Sequence, residues 1–382
     1  MSVPLRRLAA LAAVCAAALT VAPALSGQSR GAKPAGLTGG TGTLYIGTYK
    51  GEIELYDEAT EKLTGTIKLK TGIPRSITFS PDRTRFYALD SRFEQIEVVD
   101  VATRATLDSF KLTTGNKNIR VSNLQPDPTN KYLILMYRTA TKLVDRWEIG
   151  PPTLQKYDLT THQFGQVIPW PRGDERESVN MRIGPDGKHL FIFGEEVTVL
   201  ETTNFTEVES WPYGQSAESG LGRINLGPVH DFNDPPGMFT GLFTMADADR
   251  ARRTMGIGRV DLKARTLDFQ PLGPASNVAP FAQSPDRKRA YGITQEIANY
   301  EFWTFDLEKN TVLMRTKFEG RPRLGLRVST NGKLFYVYVA GATLDVYETA
   351  THKYVRTIWL GGDQTTELYV VPGAVAQTTS AR

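Results

Sequence analysis

From residue 43 onward, apolar and polar positions alternate in short runs such as TLYIGTY from Thr43, EIELYD from Glu52, QIEVVD from Gln95 and EVTVLE from Glu196. A period of two is the pattern of β-strands whose faces lie in different environments. After one strand of each group comes the same phrase, an acidic turn leading into a further strand. Its copies are LYDEATEKL, VVDVATRAT, KYDLTTHQF, VLETTNFTE, RVDLKARTL, TFDLEKNTV and VYETATHKY. The turn acids are Asp57, Asp100, Asp158, Glu201, Asp261, Asp306 and Glu348, spaced by 43, 58, 43, 60, 45 and 42 residues. A period in the forties built from short alternating strands predicts an all-β chain, a seven-bladed β-propeller.

A second turn phrase divides the other half of each unit. It reads FSPDRTRFYAL from Phe79, LQPDPTNKYLILM from Leu124, IGPDGKHLFIF from Ile183, QSPDRKRAYGI from Gln283 and VSTNGKLFYVY from Val328. Proline presets φ, and Asn or Gly accepts φ > 0, so these are hairpins between the first two strands of blades 2, 3, 4, 6 and 7. Blade 5 has the longer segment GPVHDFNDPPG in that place, and blade 1 shows only three strands. The strand TELYVV, Thr366 to Val371, is the expected fourth strand of blade 1, closing the ring with the C-terminus and removing a sheet edge. The propeller is expected over 43–372, with flexible segments at 25–42 and 373–382.

Register sorts the loops onto two faces. First-to-second and third-to-fourth hairpins share one face; second-to-third hairpins and blade links share the other. Both long spacings come from insertions on that second face, Tyr137 to Thr153 in blade 3 and Thr244 to Gly256 in blade 5. Long loops on a rigid scaffold are where binding concentrates. Arg138, Asp145, Arg146 and Trp147, with Asp247, Asp249, Arg250 and Arg252, are therefore candidate partner-docking residues. Arginines recur near the starts of first strands: Arg75, Arg120, Arg223, Arg323 and Arg327. Converging on the channel they would form an anion or carboxylate site or dock an acidic partner; the plainer reading pairs each with a neighbouring blade.

Catalytic patterns are sparse. Of the four histidines, His162, His189 and His352 fall at hairpin turns and are expected in solvent, and no metal-ligand spacing links them. Asp231, Asn233 and Asp234 beside His230 could hold Ca²⁺, but the spacing fits no EF-hand and Asx-turns before Pro235-Pro236 account for the same residues without any ion, so no metal site is expected. No G-x-S-x-G motif occurs. The tryptophans at strand positions are expected to pack between blades.

Charge and leader set the compartment. Arg6 and Arg7 precede an apolar run, Leu8 to Val21, and Ala22-Pro23-Ala24 has the small-x-small form of a cleavage site. Fourteen apolar residues fall short of the roughly 20 that span a bilayer. A signal peptide over 1–24 and a periplasmic or secreted protein follow, with no stable membrane insertion after cleavage. Cleavage removes the single cysteine and leaves 43 basic against 41 acidic side chains. The mature chain has no thiolate chemistry, and its near-neutral balance argues against a nucleic-acid partner.

The phrases PRSITFSPDRTRFYAL and VSTNGKLFYVY resemble the YVTN-type propeller repeat of exported bacterial proteins. PPTLQKYDLTT, RRTMGIGRVDLKARTLDF and FWTFDLEKNTVLMRT are most similar to the β subunit of quinohemoprotein amine dehydrogenase. The resemblance implies a non-catalytic periplasmic propeller packed against a dihaem cytochrome and a small subunit carrying a tryptophan-derived quinone. No cofactor is expected in this chain, which lacks C-x-x-C-H; haem and quinone would belong to the partners. The leading expectation is a binding or scaffold subunit. The alternatives are a lactonase-like hydrolase acting at the channel and a cell-surface binding propeller.

Overall fold

The computed structural model describes residues 37–194, 196–212, 221–226, 233–247, 252–296, 299–320 and 324–373. The leader expected over 1–24 lies outside them. Blade 1 contains β1 (Thr43–Thr48), β2 (Glu52–Asp57) and β3 (Leu63–Lys68); blade 2 contains β4 (Pro74–Phe79), β5 (Arg85–Asp90), β6 (Gln95–Asp100) and β7 (Thr106–Lys111). Blade 3 contains β8 (Lys117–Pro126), β9 (Tyr132–Lys142), β10 (Trp147–Ile149), β11 (Thr153–Asp158) and β12 (Gln163–Ile168). Blade 4 contains β13 (Asn180–Ile183), β14 (His189–Phe193), β15 (Glu196–Glu201) and β16 (Glu207–Pro212). Blade 5 follows with β17 (Leu221–Leu226), β18 (Met238–Asp247), β19 (Arg253–Asp261) and β20 (Thr266–Pro274). Blade 6 has β21 (Val278–Gln283), β22 (Arg289–Glu296), β23 (Asn299–Asp306) and β24 (Thr311–Phe318). Blade 7 has β25 (Gly325–Val328), β26 (Leu334–Tyr338), β27 (Thr343–Glu348) and β28 (Tyr354–Trp359). The last strand, β29 (Tyr369–Val371), pairs with β1 and completes blade 1 in the order β29-β1-β2-β3. The chain is a seven-bladed β-propeller.

The acidic turns explain their own repetition. Four residues after each turn acid the backbone enters the left-handed region, at Glu61, Arg104, His162, Phe205, Arg265, Asn310 and His352, with φ between 52° and 61°. Such a step costs a side chain energy, and the acid compensates. Asp57 Oδ1 accepts from Thr60 N at 2.8 Å and Thr60 Oγ1 at 2.6 Å; Asp100, Asp158, Asp261 and Asp306 each accept from the backbone N–H three residues on. These bonds hold the carboxyls of Asp57, Asp100, Asp158 and Asp306 below their ordinary range. A register shift lies beside the turn in the third-to-fourth pairing of every blade except blade 5, where it falls further along the ladder.

Inner strands of the sheets bury apolar faces against both neighbouring blades, and each of the seven blade interfaces carries an apolar cluster among the described residues. Blade links are tied by carboxylates inside the sheets. Glu97, on β6, accepts from Lys70 N at 2.6 Å and Thr71 N at 3.1 Å; Glu54, on β2, accepts from Gly361 N at 2.9 Å. Both side chains are buried. They are spent on backbone donors, which buried carboxylates need.

Closure between blades 7 and 1 combines an apolar cluster with buried polar ties. Leu44, Ile46 and Tyr56 of blade 1 meet Tyr336, Leu344 and Val346 of blade 7 across Leu368 and Val370. Glu61 pairs with Arg356, whose guanidinium also donates to Leu37 O at 3.2 Å; the two charged side chains are only 10% and 8% exposed. Glu58 accepts from Gly42 N at 2.9 Å, Thr330 N at 2.9 Å and Tyr336 Oη at 3.0 Å. Burial pushes its carboxyl up despite those donors. The closing strand is shorter than Thr366 to Val371, because Thr366 Oγ1 accepts from Gly47 N at 2.9 Å and so replaces ladder pairing at that end.

Leu368 is fully buried in this seam. Leu368→Ala should therefore lower the unfolding free energy by about 2–5 kcal/mol, measured by urea denaturation. A change within the roughly 0.5 kcal/mol typical of surface substitutions would show that the closing segment does not carry the ring.

Candidate functional site

A cavity of about 270 Å³ occupies the channel. Its wall comes from the ends of first strands and the hairpins that follow them: Thr78 and Phe79 of blade 2, Gln125 and Pro126 of blade 3, Arg182 and Ile183 of blade 4, Ala282 of blade 6, Arg327 and Val328 of blade 7, and Tyr369 of the closing strand. The cavity thus lies toward the face of the first-to-second hairpins. The irregular connection of blade 5 runs along it from Asn233 through Pro235, Pro236 and Gly237 to Phe239. Asn233 Nδ2 donates to Gln283 O of blade 6 at 3.0 Å, and Asp234 Oδ2 accepts from Thr240 N at 3.1 Å. Both oxygen-rich residues of the possible Ca²⁺ loop are engaged in anchoring that segment; His230 and Asp231 lie outside the described residues. Among the described residues no group of three or more His, Cys, Asp or Glu is arranged to hold a metal ion.

Three guanidiniums line this cavity, those of Arg83, Arg182 and Arg327. Arg182 and Arg327 hold matching places, each the third residue of a four-residue first strand. Each turns back to its own chain, Arg182 Nη1 donating to Met181 O at 2.6 Å and Arg327 Nη1 to Leu326 O at 2.9 Å. Arg327 also pairs with the exposed Glu367. Arg182 lies 5.6 Å from the ring centroid of Phe239, and its burial among protein atoms pushes its pKa down to about 10. It remains a cation at neutral pH.

Of the channel arginines expected from sequence, Arg327 alone among those with described side chains lines the cavity. Arg75 and Arg120 sit near the starts of β4 and β8, toward the other end of the channel. Both lie over the ring of Phe93, at 6.0 Å and 4.6 Å from its centroid. Arg323 and the side chain of Arg223 lie outside the description. Arg182 and Arg83 were not singled out by sequence. The position of Arg182 two residues before the Gly184-Pro185 turn, matching Arg327 before Ser329-Thr330, was the available signal.

On the opposite face, the blade 3 insertion is not a loop but an arm. β9 runs 11 residues, and its far end is flanked by β8 (Lys117↔Thr141, Arg120↔Arg138) and by β10 (Trp147↔Lys142, Ile149↔Ala140). At the tip Val144 is fully exposed, and Trp147 and Ile149 are more than half exposed or close to it. The two lie two residues apart and so share one face of β10. Arg138 pairs with Glu177, and Arg146 with Asp145 at 3.2 Å. The blade 5 insertion likewise prolongs β18 and β19, which pair from Met238↔Asp261 to Ala246↔Arg253. Arg252 is exposed beside it; Asp249, Arg250 and the side chain of Asp247 lie outside the description.

Two expectations are corrected. His352 is buried, not in solvent: its Nε2 lies 2.7 Å from Thr304 Oγ1 and its Nδ1 3.1 Å from Thr316 Oγ1, joining blade 7 to blade 6. His162 stays exposed as expected, with its Nε2 2.7 Å from Asp108 Oδ2 and its ring tilted 5.1 Å from that of Phe110, joining blade 3 to blade 2. The left-handed turn aims both side chains at the preceding blade. Trp359 is 70% exposed on the outermost strand of blade 7 rather than packed between blades, whereas Trp211 and Trp303 are buried.

In overall shape the chain is similar to AztD from Citrobacter koseri in its apo form, with TM-score 0.54 and 12% identity over 89% of this chain and 100% of that one. It is also similar to dihydro-heme d1 dehydrogenase NirN, with TM-score 0.52 and 12% identity over 88% and 77% of the two chains. Hydrazine synthase from Kuenenia stuttgartiensis aligns at TM-score 0.49 with 17% identity, covering 85% and 99%. At these identities the likeness is one of fold. No protein-family model and no curated protein matches the sequence.

Burial holds the His352 pKa down to about 4. Because the folded value lies below the unfolded value near 6.5, this group's contribution is complete above pH 6.5 and is lost as pH falls toward 4. Urea midpoints at pH 7, 5.5 and 4.5 should show an acid-induced loss of about 1–3 kcal/mol that shrinks in His352→Gln. An identical pH slope in the variant would contradict a buried neutral imidazole.

Proposed function

We propose that the chain is an exported, non-catalytic propeller that binds protein partners on the face of its second-to-third hairpins. The observation that carries this reading is the blade 3 arm. A three-stranded extension holds Val144, Trp147 and Ile149 out in solvent, where apolar side chains of this size lose free energy unless something covers them. Aromatic anchors in an otherwise polar surround are what protein interfaces use. Arg75, Arg120 and Phe93 lie inward on the same face, offering cations to an acidic partner.

At finer resolution we read the partners as those of an amine dehydrogenase-like redox complex: a cytochrome carrying haem and a small subunit carrying a tryptophan-derived quinone. The repeat resemblance supports this reading, and the compartment it requires is the periplasm, consistent with the expected leader. No helix among the described residues is long and apolar enough to cross a membrane.

Affinity purification from the native host, followed by haem spectra and quinone redox staining, tests both levels. Haem and a quinone-positive small chain should co-purify. Trp147→Ala should weaken capture by about thirtyfold, the effect of an interface hot spot of roughly 2 kcal/mol, and change folding stability by less than about 0.5 kcal/mol. A colourless monomer would overturn the redox assignment. Full capture of partners by the variant would remove the arm from the interface.

A further inference from the structure

The blade 3 arm has an open edge as well as an apolar tip. Leu143 N donates to Arg146 O and Gly150 N to Thr139 O, each at 2.8 Å. Both bonds belong to the register that sets Trp147 opposite Lys142 and Ile149 opposite Ala140. Hydrogen-bonded and non-hydrogen-bonded pairs alternate along an antiparallel ladder, so residues 146, 148 and 150 turn their backbone groups toward β9. Trp147 and Ile149 turn theirs outward. Lys142 N, opposite Trp147, accordingly donates to Asn116 O on the β8 side, also at 2.8 Å. β12 stops at Ile168, opposite Leu154, and among the described residues no strand lies outside β10. Such an edge is a template for a further strand.

The side chains select the strand. Arg146 and Glu148 project to one side of this edge, Trp147 and Ile149 to the other. A strand laid antiparallel against it fits best with a basic, an aromatic and an acidic residue in that order, and Arg146-Trp147-Glu148 is itself such a segment. We propose that a second copy of this chain adds its β10 to the edge, antiparallel about a two-fold axis at Trp147. Arg146 of each copy then lies opposite Glu148 of the other, and the two Trp147 residues exchange N–H and C=O. Opposite charges and aromatic rings placed directly across a ladder stabilise it. Moving the axis to Glu148 would set that carboxylate against its own copy, which fixes the register. Arg146 also meets Asp145 of its own turn at 3.2 Å, but both side chains are mostly exposed, and such a pair holds little. Only the tip segment around Trp147 overlaps, well short of the roughly 1,200–2,000 Å² that stable complexes bury. Association is therefore weak and reversible, and it yields the arm to the partners proposed above. The inference rests on the reading of the arm as an interaction surface and adds what covers it when the chain is alone.

Sedimentation equilibrium of the purified chain alone, over a rising concentration series, tests the proposal. A reversible monomer–dimer equilibrium should appear. Glu148→Arg and Arg146→Glu should each weaken it by at least about tenfold, because each sets like charges across both ends of the pairing, with unchanged circular dichroism spectra. Mixing the two variants should bring association back to within about threefold of the parent chain, and so should the double variant Arg146→Glu/Glu148→Arg. A chain that stays monomeric at every concentration, single variants that dimerise as tightly as the parent, or a mixture no tighter than its components would overturn the pairing. No other protein is present in this measurement. Its failure would leave Trp147-dependent capture of host partners standing, and failure of that capture would leave the charge-swap result to be read on its own.

Discussion

A ring of sheets has no stable end unless its last strand finds its first, and that one meeting governs the rest of the molecule. β29 adds only three residues to the edge of β1. Around this short ladder the chain gathers buried Leu368 and Val370, the Glu61–Arg356 pair and the donors that surround Glu58. Residues 37–42 are drawn into the same seam through Leu37, Gly42 and the contact of Thr41 N with Thr330 Oγ1 at 3.2 Å. A buried ion pair contributes modestly in itself, but removing either partner leaves a desolvated charge. The seam is thus specific as well as apolar: it fixes which strand may close the ring and in which register.

The same division of labour recurs within the blades. Charged residues on middle strands, Glu54 and Glu97, serve backbone donors at the links, so they are structural despite their burial. Cations at the inner strands are different. They lie along the channel, and which end of it such a residue reaches depends on its distance from the strand's end. Arg75 and Arg327 both belong to first strands, yet one stacks on Phe93 at one end and the other lines the cavity toward the other.

Much of the fold was legible because it is written in local rules. The turn acids, the Pro-Asp and Asn-Gly hairpins and the alternation of strands each act over a few residues, and their spacing alone gives seven blades closed by the C-terminus. What lay beyond reach depends on facing across blades. His352 reads as a turn residue until the left-handed step before Lys353 sends its ring between Thr304 and Thr316. Arg182 carries no local mark; its meaning comes from the blade 5 segment folded beside it. The blade 3 insertion was visible as length, but its nature as a paired arm rests on β8 and β9 lengthening together and on β10 folding back against β9, pairings that no local motif marks.

Closure by a C-terminal strand also sets a schedule. Contacts such as Gly47 with Thr366 join residues 319 apart in the chain, so the loop-closure entropy behind them is met only when nearly everything else is in place. Until then β1 presents an unpaired edge, the kind of surface on which strands from other chains add. A ribosome or translocon delivering this chain from its N-terminus exposes that edge for the whole of synthesis. The strand that retires it, β29, is made after every other strand of the ring.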